Sequence, residues 1–137
     1  MHLALNYTTQ IEAAKTVGQI HGILVAHGAR SILTNYDKDG QIESLSFEIE
    51  TPHGIAHIML PIDPEAVLRV MMRSDSRVPR RLITRAQAIR IAWRIVKDWV
   101  EAQMAILETE MVKMEQIFLP YIITGSGKTL YQVFESR

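Results

Sequence analysis

The first chemical clue in this sequence is a concentration of arginine. Arg73, Arg77, Arg80, Arg81, Arg85, Arg90 and Arg94 fall in one stretch whose only acid is Asp75, so it carries a formal +6 in a chain of net charge zero. Guanidinium is permanently charged and offers a planar fork that meets phosphate oxygens two at a time. Crowding it into one segment sets up repulsion that opposes folding. The rest of the chain sits at −6, enough acid to pair those arginines on the surface, where such pairs contribute little to stability. The functional alternative is an anion site. Arg77, Arg80, Arg81, Arg85 and Arg90 are the residues assigned to it, with Lys128 as a further cation.

Other chemistry is sparse. Gly125-Ser126-Gly127-Lys128-Thr129 resembles the end of a phosphate-binding loop, but the first glycine of that motif would fall at Ile122 and the chain ends too soon after Thr129 for the helix that must follow. A glycine turn accounts for it. The five histidines (His2, His21, His27, His53 and His57) show no spacing that sets two of them four apart on a helix beside a carboxylate. Asp37 and Asp39 with Gly40 lack the later ligands of a calcium loop and read as hairpin residues. There is no cysteine, hence no thiol nucleophile, thiolate metal site or disulfide. The expectation is a binding protein without catalytic residues, metal or cofactor.

These groups must be held by a single α+β domain over 1–137. The 47% hydrophobic and 22% charged residues suit a globular chain of this length. Residues 3 to 7 read as a short strand. A helix then opens on a capping-box spacing at Thr9 and Glu12, buries Ile11, Ala14, Val17, Ile20 and Leu24, and ends at Gly28. A three-stranded antiparallel sheet follows. Its strands are Ser31 to Tyr36, Gln41 to Glu50 and Ile55 to Leu60, joined by turns at Asp37–Gly40 and Thr51–Gly54. The third strand lacks strict alternation and is therefore expected in a more central or fully covered position. Asp63 and Pro64 open a short helix to about Met72. Residues 1–72 thus form the helix-and-sheet half, and 73–83 form an exposed basic loop.

From Thr84, with Gln87 three residues on, helical periodicity runs to Phe118, where Pro120 ends it; residues 119–137 form a tail. One apolar stripe contains Trp93, Val96, Val100, Met104, Leu107, Met111, Met114 and Phe118. A second flank contains Ile89, Ala92, Ile95, Trp99, Ala102 and Ile106. Two flanks call for two partners. The sheet covers one, and the same helix of another subunit is expected on the other, giving a homodimer or higher homo-oligomer seamed near Leu107 and Met111. Trp93 and Trp99 are assigned to packing, while Tyr121, Tyr131 and Phe134 are less committed. No apolar run reaches the ~18 residues that span a bilayer, and Met-His-Leu-Ala-Leu-Asn-Tyr has no basic leader, so a cytoplasmic protein with no membrane partner is expected.

The segments SFEIETPHG (46–54), AWRIVKDWVEAQ (92–103), FLPY (118–121) and GKTLYQVFE (127–135) resemble a family of small proteins from bacteriophages, prophages and related elements. The resemblance implies a viral setting, in which small oligomeric proteins include sponges that sequester nucleotide messengers, such as Thoeris anti-defence proteins. The expected partner is therefore a small phosphorylated, nucleotide-derived ligand. The alternatives are a nucleic-acid-binding accessory protein and a protein-interaction inhibitor of a host factor.

Overall fold

The computed structural model of the chain describes residues 6–137, arranged as α1 (Ala13–Ala26), β1 (Ser31–Tyr36), β2 (Ile42–Thr51), β3 (Gly54–Met59), α2 (Pro64–Met71), α3 (Arg85–Glu108), α4 (Met114–Phe118) and α5 (Leu130–Glu135). The expected strand at 3–7 lies largely outside the described residues, and Asn6 and Tyr7 sit in a turn. The class read from the sequence, mixed α and β with one antiparallel sheet, is the class observed.

Helix α1 starts later than its capping signal implies. Thr9 Oγ1 accepts from the amide of Ile11 instead of closing a capping box, and Glu12 is the N-cap but its side chain accepts no capping bond. Thr16, Val17, Ile20 and Leu24 form the buried face, while Ala14 points to solvent. The end of α1 is as expected. Gly28 takes φ 99°, letting Ala29 N reach Leu24 O at 3.0 Å and Gly28 N reach Val25 O at 3.2 Å, the paired bonds by which a left-handed residue closes a helix.

Strand β2 is central, with β1 and β3 antiparallel on either side. Its alternation decides the faces. Leu45, Phe47 and Ile49 are buried against the helices, and Ser44, Ser46 and Glu48 face outward. A register shift near Asn35/Tyr36 pairs Tyr36 with Ile42, and this bulge brings Ile42 to the core side that simple alternation would give Glu43. Strand β3 is an edge and largely open, neither the central nor the fully covered strand expected. Its burial does alternate, with Ala56 and Ile58 turned inward and Ile55 and His57 exposed, and the tail pairs with this edge, Ile122 bridged to Ile58 and Ile123 N donating to His57 O at 2.7 Å.

Helix α2 opens as the sequence indicates, with Asp63 Oδ1 accepting from Ala66 N at 3.2 Å and Pro64 in the first turn. The larger correction concerns α3. It ends at Glu108, and residues 109–113 turn the chain before α4. Thr109 Oγ1 binds Ile106 O and accepts from Met111 N, while Glu110 adopts φ 62° and its amide reaches Leu107 O at 3.0 Å. Periodicity could not reveal this break, because no glycine or proline marks it and the apolar spacing resumes in phase. Geometry requires the turn. In one straight helix Trp99 and Phe118 would lie about 28 Å apart along the axis, yet their ring centroids are 5.6 Å apart, edge to face.

Phe118 also packs edge-on against Phe47 at 5.6 Å, and Tyr121 against Trp99 at 5.5 Å. The returning segment thus covers Trp99. On the second flank, Ile95 packs in a smaller cluster with Met71, Val78, Ala88, Ile91 and Leu82 that joins α2 and the basic loop to α3. Much of the flank offered to a second subunit is therefore covered within one chain. Leu107 packs against the main core, whereas Ile106 and Met111 stay exposed, at 41% and 72%. His27 fastens α1 to the far end of α3: its ring nitrogens meet Ile23 O at 2.9 Å and Glu108 Oε1 at 3.1 Å. The Ile23 carbonyl first and the Glu108 carboxylate second raise its pKa, since both contacts favour the doubly protonated ring. Among the described residues no helix is long and apolar enough to cross a membrane.

Candidate functional site

The start of α3 sits opposite the β1–β2 turn, and two adjoining cavities of about 380 and 660 Å³ lie between them. Asp37, Asp39, Gln41, Arg85 and Ile89 line both, so they form one cleft. The first cavity is completed by Glu12, Ala13, Ala86 and Arg90, and the second by Tyr36, Lys38, Ile42, Glu43 and Pro64.

Local chemistry explains each wall. Asp37 Oδ1 accepts from Asp39 N at 2.8 Å and Gln41 N at 3.0 Å, and Gly40 supplies the φ of 79° that closes the turn. The hairpin tip is thereby shaped by the carboxylate that also faces the cleft. Across from it, Thr84 caps α3 through Gln87 N at 3.1 Å. Arg85 and Ala86 are the first residues of a 24-residue helix, so its positive end borders the cleft.

Gln87 departs from the expected capping box. Its side chain does not return to Thr84; Nε2 donates to Tyr7 O at 2.9 Å and Thr9 O at 3.0 Å, and Oε1 accepts from Arg90 at 3.2 Å. This side chain is 5% exposed. It ties the segment before α1 to α3 and holds the Arg90 guanidinium through Nη1. Arg90 also meets Glu12 Oε1 at 3.3 Å, and its Nε is buried with no acceptor among the described residues. Arg85 pairs with Glu65.

Of the sequence-assigned cations, the structure therefore brings Arg85 and Arg90 together and leaves the others elsewhere. Arg77, Arg80 and Arg81 are exposed on the loop between α2 and α3 and do not line the cleft. Lys128 belongs to the tail hairpin in which Ile123 bridges Thr129, and its own carbonyl accepts from Thr124 N at 2.8 Å. The loop-like motif has a structural explanation: Gly127 turns at φ 83°, and Thr129 caps α5 through a reciprocal bond with Gln132. Sequence reading missed Glu12, Tyr36, Asp37, Asp39 and Gln41, since no local spacing signals a hairpin that meets a helix start some fifty residues later.

The cleft holds four carboxylates (Glu12, Asp37, Asp39, Glu43) against three cations (Lys38, Arg85, Arg90), with Ile42, Ile89 and Tyr36 adding apolar wall. That balance does not suit a bare anion. It suits a molecule with an anionic end, hydroxyl or amino donors, and an apolar face. No three His, Asp or Glu side chains among the described residues are grouped to hold a metal ion. His21 Nε2 lies 3.1 Å from Thr34 Oγ1, a contact between α1 and β1 away from the cleft-lining residues.

Comparison of the chain with protein-family models, curated proteins and solved structures finds no match.

Proposed function

We propose that this chain is a non-enzymatic binding protein for a small nucleotide-type ligand, seated in the cleft between the β1–β2 turn and the first turns of α3. The observation that carries the reading is that cations, carboxylates and apolar side chains line one cleft. Arg85 and Arg90 come from the start of α3, Asp37 and Asp39 from the β1–β2 turn, and Tyr36, Ile42 and Ile89 supply apolar wall.

A phosphate accepts charge-assisted hydrogen bonds from the two guanidiniums and favours the helix start. Ribose hydroxyls donate to the aspartates, which ordinarily accept in this way, and a base covers the apolar wall. Binding exchanges the Arg85–Glu65 and Arg90–Glu12 contacts for ligand contacts. Because exposed ion pairs contribute only ~0–1 kcal/mol each, that exchange is affordable. On this reading the molecule captures a phosphorylated, nucleotide-derived signal and leaves it unchanged.

Thermal-shift measurements with adenosine 5′-monophosphate, a cyclic dinucleotide, adenosine and inorganic phosphate test it. A nucleotide is expected to raise the melting temperature well above any effect of phosphate or adenosine alone, and Arg85→Ala with Arg90→Ala to remove the increment. Equal effects of phosphate and nucleotide, or no shift with any of the four, would sink the proposal.

A further inference from the structure

The arginines left outside the cleft have a surface of their own. Arg69 on α2 and Arg77, Arg80 and Arg81 on the following loop are all exposed, and none has an ion pair or hydrogen bond to its side chain among the described residues. Like charges gathered with a single acid, Asp75, among them oppose folding.

The loop that carries them is anchored. Val78 is 8% and Ser76 4% exposed, Ser76 Oγ donates to Met71 O at 2.8 Å, and Leu82 and Ile83 pack beside Met71, Ala88 and Ile91. Arg77 stands between the two buried residues with φ 62°, the left-handed region that a branched or long side chain enters only at a cost. Glycine would serve the turn better, so the arginine stands there against local preference.

From this surface we infer a second site, independent of the cleft, that binds the phosphate backbone of double-stranded nucleic acid. Three features select that partner. The surface is open, which suits an extended polyanion and gives a small molecule no enclosure. Residues 69–83 contain no aromatic, so the stacking platform that holds single strands is missing. Met72 is the only large apolar side chain exposed there, whereas a protein partner needs a buried apolar centre. Backbone contacts by arginine position a duplex without reading its sequence.

The test is fluorescence anisotropy of a labelled duplex of about 20 base pairs, DNA and RNA in separate arms, titrated from about 50 to 200 mM KCl. Engagement of three to four phosphates gives a slope of log affinity against log salt of about −3. Arg77→Gly with Arg80→Ala and Arg81→Ala is expected to flatten that slope by about 2 to 3, roughly one unit per arginine, while thermal stability does not fall. Arg85→Ala with Arg90→Ala is expected to leave it unchanged, which separates this site from the cleft.

Three results overturn the inference: no duplex binding at the lowest salt, a slope that the loop variant does not alter, or a loss as large in the cleft variant as in the loop variant. Tighter binding of single strands than of duplexes rejects the duplex assignment. Competition by polyglutamate at equal charge assigns the surface to an acidic protein and rejects it also.

Discussion

Arg85 and Arg90 belong to the same arginine-rich stretch as Arg77, Arg80 and Arg81, yet the fold gives the two groups opposite surroundings. The first pair lies at the start of a helix, meets Glu65, Glu12 and Gln87, and lines a cleft rich in carboxylates. The second group stands on an anchored loop, exposed and unpaired among the described residues. A charge run is therefore not one site. What each arginine can recognise is set by the acids folding brings to it: mixed charge selects a ligand with several kinds of group, and bare charge selects a polyanion.

The largest effect that sharpens this contrast is expected from Gln87→Ala. It removes the donors to Tyr7 O and Thr9 O and the acceptor of Arg90, at a cost of about 2–3 kcal/mol for buried polar groups left unpaired. Denaturant unfolding should register that loss. The same variant should weaken nucleotide binding in the cleft and leave the salt dependence of duplex binding intact; if both change together, the two arginine groups are coupled.

A smaller effect follows from neutralising the acids that hold the cleft arginines. Glu12→Gln with Glu65→Gln is expected to change stability by no more than about 1 kcal/mol, because the carboxylates are largely exposed. It should convert the cleft toward a bare anion site, so that inorganic phosphate alone gains affinity by isothermal titration. Unchanged phosphate affinity would mean that those acids do not govern the site.

The smallest effect concerns backbone. Arg77 and Glu110 both adopt φ 62°, so glycine at either is expected to raise stability by up to about 1 kcal/mol. Position 110 carries a sharp sign test by thermal unfolding: within a continuous helix, glycine there would lower stability by about 1 kcal/mol.

That last contrast also marks how far the sequence could be read. Element types were legible where local physics dominates: alternation at Leu45, Phe47 and Ile49, the aspartate-proline start of α2, the glycine end of α1. The end of α3 was not, because Thr109 and Glu110 break the helix through a hydroxyl and a strained φ while the apolar period continues, and only the distant contacts of Phe118 with Phe47 and Trp99 require the turn. The edge position of β3 was hidden for the same reason, since the tail that covers it comes from residues 122–123. Of the site, the sequence offered Arg85 and Arg90 by type. It could not offer Asp37 and Asp39 as their neighbours, because a turn carboxylate looks the same whether or not a helix start faces it.

The separation of the two arginine groups is tested most directly by isothermal titration of adenosine 5′-monophosphate into two variants beside the wild type. With Arg77→Gly, Arg80→Ala and Arg81→Ala, binding heat and affinity should match the wild type. With Arg85→Ala and Arg90→Ala, binding should vanish. Retained binding in the cleft variant, or its loss in the loop variant, would contradict the assignment of the ligand to the cleft.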